Sequence, residues 1–267
     1  MALAADPMGL EQPTMALAAD PMGLEQRIEK MQLTLDLPEE IVRDLIQLAG
    51  TDIVVIADDS GSMNARAGKV TRWGELQNTL SLLVQLLLTV DHSDGFTLKF
   101  LNVDTWFQVT SEEALTTVFA GLGQPHFKTP LCANLREVAD GASWKRHSPT
   151  SNSEGDTICL VLTDGEPSDG PFSQVTQILK AKAAHVFVTF LMCTDEDAVV
   201  EKYNRVVDPI PGCDISDDYA SEKKEVERAG NKLNRNKWLA KCVLGAKLPK
   251  YDKMDAPPKS SAACVVS

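Results

Sequence analysis

The sequence predicts an α/β fold: a doubly wound, Rossmann-like, mostly parallel sheet with one antiparallel edge strand and helices on both faces. Residues 53–57, 158–162 and 186–192 are short, almost unbroken apolar runs. Runs of that length without alternation suit strands buried on both faces and are too short to span a bilayer. Segments of helical period separate them, the βαβ pattern of a parallel sheet. Residues 96–102 alternate instead, and 106–109 follow a tight turn at 102–105, so 106–109 is the expected antiparallel edge.

In chain order, residues 1–12 and 15–26 are identical copies of Met-Ala-Leu-Ala-Ala-Asp-Pro-Met-Gly-Leu-Glu-Gln, joined by Pro13-Thr14. Two copies of so short a unit cannot make a solenoid. Their Pro and Gly discourage a long helix, so 1–26 is expected to be a duplicated, disordered leader. A recent duplication or a gene-prediction artefact explains the repeat more simply than a binding role. In the leading segment, 27–50, a helix is expected over 38–49. It has Pro38 at its start, Glu39 and Glu40 in its first turn and Ile41, Val42, Leu45, Ile46 and Leu48 as its apolar side.

A main domain is expected over 51–210. After its first strand comes a polar loop, 64–71, in which Gly68-Lys69-Val70-Thr71 lacks the upstream glycine pattern of a phosphate loop. A helix over 72–90 carries Leu76, Leu80, Leu83 and Leu87 on one side. Ser111 caps a helix over 111–120 with Glu112 and Glu113 in its first turn. Further helices are expected over 131–147, 172–184 and 195–206. An extension, 211–248, opens with an acidic stretch that lacks calcium-loop spacing. It continues as a charged helix into the apolar patch 238–244, flanked by Lys237, Lys241 and Lys247. That patch is expected to pack on the domain, with a membrane-surface helix as the alternative. Residues 249–267 are expected to be a flexible tail.

The net charge of −12 argues against general nucleic-acid binding, which needs a basic face to neutralise phosphates. The charge is uneven: residues 221–267 hold 11 Lys/Arg against 5 Asp/Glu, so the first 220 residues carry −18. Six cysteines, at 132, 159, 193, 213, 242 and 264, form no Cys-x-x-Cys pair, so a zinc ribbon has no support. There is no Asn-x-Ser/Thr sequon, and the amino end lacks the basic start of a secretory leader. A reducing, cytosol-facing compartment is expected.

The chemistry concentrates at strand ends. Asp58, Ser60 and Ser62 leave the carboxyl end of the first strand at alternate positions, where open α/β sheets bind ligands. A carboxylate and two hydroxyls are hard oxygen donors that suit Mg²⁺. Read alone, Asp-x-Ser-x-Ser is equally a Ser-rich turn capping the next helix. Thr129, in a loop ahead of a helical segment, and Asp164, at the end of another buried strand, add two more oxygens.

Taken together in this order, the five residues resemble the von Willebrand factor A (integrin I-like) domain over roughly residues 50–210. The resemblance implies a metal-ion-dependent adhesion site in which Ser60 and Ser62 bind the metal directly. Thr129 would bind it directly or through water, and Asp58 and Asp164 mostly through water. It also implies Mg²⁺, with Mn²⁺ or Ca²⁺ as substitutes, and a partner protein whose Asp or Glu completes the coordination. Lys128 stands where the family often has Gly, and a cation there weakens metal binding unless it turns away.

The chain closes on Cys264-Val265-Val266-Ser267, which matches a farnesylation box. One lipid gives marginal affinity. Lys247, Lys250, Lys253 and Lys259 would add up to about 1 kcal/mol each near an anionic leaflet, less the effect of Asp252 and Asp255. The expected function is therefore a non-enzymatic adhesion or scaffold module that binds an acidic partner and is held on the cytosolic face of a membrane. Two alternatives stand beside it. One is a Mg²⁺-dependent phosphoryl-transfer enzyme, although Ser60 occupies the position such enzymes use for a second Asp as acid. No Gly-x-Ser-x-Gly element occurs, and His92, His126, His147 and His185 are scattered. The other is a scaffold whose metal site is vestigial.

Overall fold

The computed structural model describes residues 23–251 except 91, 93, 149–150, 152–154, 195 and 229. The expected leader falls outside the described residues up to 22, and its last residues already belong to a helix. This α1 (Leu24–Leu35) turns Ile28, Met31 and Leu35, spaced by three and four, onto the domain. It was not anticipated from the sequence. The next helix, α2 (Glu39–Ile46), has the expected apolar side, with Ile41, Val42 and Leu45 buried.

The sheet is built from β1 (Asp52–Ala57), β4 (Phe96–Phe100), β5 (Trp106–Val109), β6 (Thr157–Thr163), β7 (Val186–Met192) and β8 (Cys213–Ser216). Their order is β5-β4-β1-β6-β7-β8. Only the β4–β5 pairing is antiparallel, and β5 is the edge, as the alternation of 96–102 led one to expect. The polar loop after β1 contains a small hairpin, β2 (Arg66–Ala67) with β3 (Val70–Thr71). Along β1, Ile53, Val55 and Ala57 join one buried cluster while Val54 and Ile56 join the other. This two-sided burial is what the unbroken apolar run encodes.

The first face is covered by α1, α2, α3 (Arg72–Thr89), α4 (Glu112–Gly121), α8 (Tyr219–Arg228) and α9 (Arg235–Leu244). The second is covered by α5 (Leu131–Ala139), α6 (Phe172–Lys180) and α7 (Asp197–Val206). Thr71 and Ser111 accept the N–H groups of Gly74 and Ala114 at the starts of α3 and α4.

Two expectations change. A single helix over 131–147 is broken after Ala139: Gly141 adopts φ +73°, and a 3₁₀ turn follows at Trp144–His147. A Cβ on Gly141 would lie 2.4 Å from Nε2 of His185. Gly141→Ala is therefore expected to cost about 1–2 kcal/mol in urea unfolding, from the left-handed backbone and the displaced imidazole.

Secondly, the sheet runs past the expected domain boundary at 210, because the acidic stretch supplies β8. Asp214 lies buried there, with Oδ1 accepting the N–H of Ile215. As expected, residues Trp238 to Leu244 are buried on the first face, which leaves the packed helix and not a membrane-surface one. Among the described residues no helix is long and apolar enough to cross a membrane.

The α8–α9 junction holds a buried ion pair. Lys241 Nζ lies 3.2 and 3.3 Å from the two oxygens of Glu222, and both side chains are at most 7% exposed. The chain then runs back to the amino ends of β1 and β6, where Lys247 reaches Asp156 at 3.0 Å and Thr51 at 3.2 Å. Beyond it, Tyr251 donates its hydroxyl to Asp44, and Lys250 pairs with Glu40 at 2.8 Å.

Candidate metal centre

The chain leaves β1 toward β4 on one side and later returns to β6 on the other, so loops from three segments meet at the carboxyl edge around β1. The loop after β1 and the loop before α5 are stitched together directly. Ser60 bridges to Phe127 in parallel fashion, Gly61 N–H donates to Phe127 O at 2.9 Å, and His126 N–H donates to Asp59 O. Asp59, the second acid of the pair, points to the next strand end: its Oδ1 accepts both the N–H and the side-chain amide of Asn102.

Asp58 is fully buried. Its Oδ1 accepts the Ser60 N–H at 2.8 Å, and its Oδ2 accepts the Thr163 hydroxyl at 2.6 Å. Burial pushes its carboxyl up to about 6, and the nearby Asp164 pushes the same way, against the hydrogen bonds from Ser60 and Thr163. Ser60 Oγ lies 3.0 Å from Ser62 Oγ, and Ser62 donates to Asp164 Oδ1 at 2.8 Å. Asp58, Ser60, Ser62 and Asp164 are thus linked in one short chain of contacts, although Asp164 is 102 residues from Ser62.

Thr129 sits in the adjoining loop, with its side chain largely buried. Its backbone is gripped by Ser168: Thr129 N–H donates to Ser168 Oγ at 3.0 Å, and Ser168 N–H donates to Thr129 O at 2.8 Å. Its hydroxyl has no hydrogen-bond partner among the described residues. Asp169 then accepts the N–H groups of Cys132 and Ala133, tying this loop to the start of α5. Lys128 is exposed, and its carbonyl accepts from Asn102. Cys264 lies outside the described residues.

Sequence reasoning passed over two neighbours. Thr163, one residue before Asp164, holds Asp58, and its place at the end of a buried strand was the available signal. Arg72, the first residue of α3, donates from Nη1 to Asp164 Oδ2 at 2.9 Å and from Nη2 to Glu196 at 2.7 Å. Nothing local in the sequence marks Arg72, because its partners lie 92 and 124 residues away.

Two observations test whether these residues suit a hard divalent cation. Ligands at adjacent corners of an octahedron with bonds of 2.0–2.1 Å are about 2.9 Å apart, and the Ser60–Ser62 oxygens are 3.0 Å apart. Asp58 is a buried carboxylate raised by desolvation, the state that a nearby cation relieves. Among the described residues no three His, Cys, Asp or Glu side chains converge as a metal cluster. The donor set is hydroxyl-rich, which fits Mg²⁺ better than zinc.

No family model matches the chain, and no curated protein matches it in sequence. Solved structures are similar to it in fold. One is the pilus adhesin SpaC from Lactobacillus rhamnosus GG: 11% identity, 72% of this chain and 30% of that chain covered, TM-score 0.46. Proximal thread matrix protein 1 from the mussel byssus gives 15% identity over 67% of this chain and 46% of that chain, with a TM-score of 0.45. A von Willebrand factor type A structure from Catenulispora acidiphila gives 12% identity, 78% and 42% coverage and a TM-score of 0.41. The chain spans less than half the length of each of these.

Proposed function

We propose that the chain is a metal-dependent protein-binding module, an adhesion or scaffold domain rather than an enzyme, that takes a carboxylate of an acidic partner. The observation that carries the reading is the Ser60–Ser62 oxygen pair, 3.0 Å apart and set beside two buried carboxylates. Ser60, Ser62 and Thr129 would supply hydroxyl oxygens to Mg²⁺, with Mn²⁺ or Ca²⁺ as substitutes. Asp58 and Asp164 orient those hydroxyls and supply negative charge. The bound metal would supply the positive charge that attracts the partner's Asp or Glu. A phosphoryl-transfer enzyme finds no support, since the residue two after Asp58 is a serine within the hydroxyl pair and not a carboxylic acid.

The test is thermal unfolding and partner capture, each with Mg²⁺ and with EDTA, for the wild type and Ser60→Ala. A ligand at a hundred times its Kd stabilises by about 2.7 kcal/mol. Wild type is expected to gain stability and to retain an acidic protein only with the metal, and Ser60→Ala to do neither. Identical melting and capture in EDTA would leave the vestigial scaffold as the better reading.

Where Ser267 is the carboxyl terminus of the mature chain, we further propose farnesylation of Cys264 and attachment to the cytosolic face of a membrane. Mass spectrometry of the carboxyl-terminal peptide from eukaryotic cells decides it, and an unmodified peptide would refute it.

A further inference from the structure

We propose that Arg72 is a resident counter-cation of the Asp58–Asp164 site, one that keeps the site assembled without a metal and limits how tightly a metal is held. The inference rests on the metal-binding reading above and concerns its regulation. Asp164 is fully enclosed, and both its oxygens are committed: Oδ1 to the Ser62 hydroxyl and Oδ2 to the Arg72 guanidinium. Arg72 is itself only 8% exposed and is held from its other side by Glu196, which is 61% exposed. Thr71 caps α3 immediately before it, so the backbone from which this side chain springs is fixed at the start of a helix.

Two consequences follow. A carboxylate oxygen that already accepts a charged donor gives up less density to a metal, and a fixed positive charge one carboxylate away repels a divalent cation. With both carboxylates ionised, Asp58, Asp164 and Arg72 carry a formal −1, against −2 without the guanidinium, so Arg72 removes half of the charge that would neutralise a divalent ion; the exposed Glu196 returns part of it. A site so depleted retains metal less tightly by itself and gains more from an incoming anion. Arg72 thereby links metal retention to the arrival of a partner carboxylate. Glu196 moderates the effect, because it shares the guanidinium charge from the solvent side.

Mn²⁺ binding to the full chain, read by electron paramagnetic resonance of the free ion, tests this with a sign. Arg72→Met removes the charge while keeping an unbranched side chain, and is expected to tighten Mn²⁺ binding by roughly tenfold or more. Arg72→Lys keeps the charge and should stay within about threefold of wild type. Glu196→Gln leaves Arg72 less neutralised and should weaken binding by about two- to threefold. A merely structural role would make both Arg72→Met and Glu196→Gln bind worse, or leave both unchanged, and either result overturns the proposal. If circular dichroism shows Arg72→Met unfolded, the neutral but hydrogen-bonding Arg72→Gln decides: binding equal to or weaker than wild type overturns it. Wild-type binding that Ser60→Ala abolishes but Arg72→Met does not tighten defeats this inference alone. No binding by wild type or by Arg72→Met defeats the metal reading and this inference with it.

Discussion

Lys241→Met is expected to lower the unfolding free energy by about 3–5 kcal/mol in urea titration, because it leaves Glu222 buried and ionised without its cation. The pair is almost fully enclosed, and the surroundings are already acidic. Burial, then the charges of Glu222 and Asp218, raise the Asp217 carboxyl to about 7. The Ser216 hydroxyl also donates to Glu222, so the ion pair fastens α8 and α9 to the end of β8. The double change Glu222→Leu with Lys241→Met should recover most of the loss, since an apolar pair of similar volume replaces the ions without a desolvation penalty. If the single and double variants are equally unstable, packing of the Lys241 stem and not its charge is what matters.

Asp58→Asn in EDTA is expected to raise stability at pH 8 by up to about 2–3 kcal/mol over wild type. The folded carboxyl is raised from its ordinary value to about 6 by burial. Folding therefore favours the protonated form: the benefit is complete below about pH 4 and is lost as pH rises through about 6. A shift of about two units corresponds to about 3 kcal/mol. Asparagine is never charged, and its amide can donate to Thr163 while its oxygen still accepts from Ser60. Urea unfolding at pH 4 and pH 8 checks the sign: the two proteins should converge at the lower pH. Added Mg²⁺ should then stabilise wild type and leave the variant unmoved. A variant less stable than wild type in EDTA at pH 8 would show that the hydrogen bonds to Asp58 outweigh its desolvation.

The strands at the centre of the sheet were legible because burial on both faces leaves an unbroken apolar signature in β1, β6 and β7. The edge strand β5 was legible from alternation and a tight turn. β8 was not, since it is four residues long and holds Asp214 and Ser216, which become interior through the packing of α8 and α9. The first helix hid because its buried residues are sparse and it begins inside the second copy of the repeat. At the site, Asp58, Ser60 and Ser62 share a short motif and could be read as a group. Asp164 was found as another strand end. Arg72 and Glu196 could not be, because their meeting depends on how α3 and the loop before α7 converge, which no local pattern encodes.

The run from Lys247 to Tyr251 gives the molecule a polarity. It is fastened to Thr51 and Asp156, just before the amino ends of β1 and β6, and to Asp44 and Glu40 of α2, whereas the hydroxyl pair follows the carboxyl end of β1. The six residues of β1 separate the two rims by about 20 Å. Anything joined to the chain beyond Tyr251 therefore starts from the floor of the domain, a full strand length from the loops that carry Ser60 and Ser62.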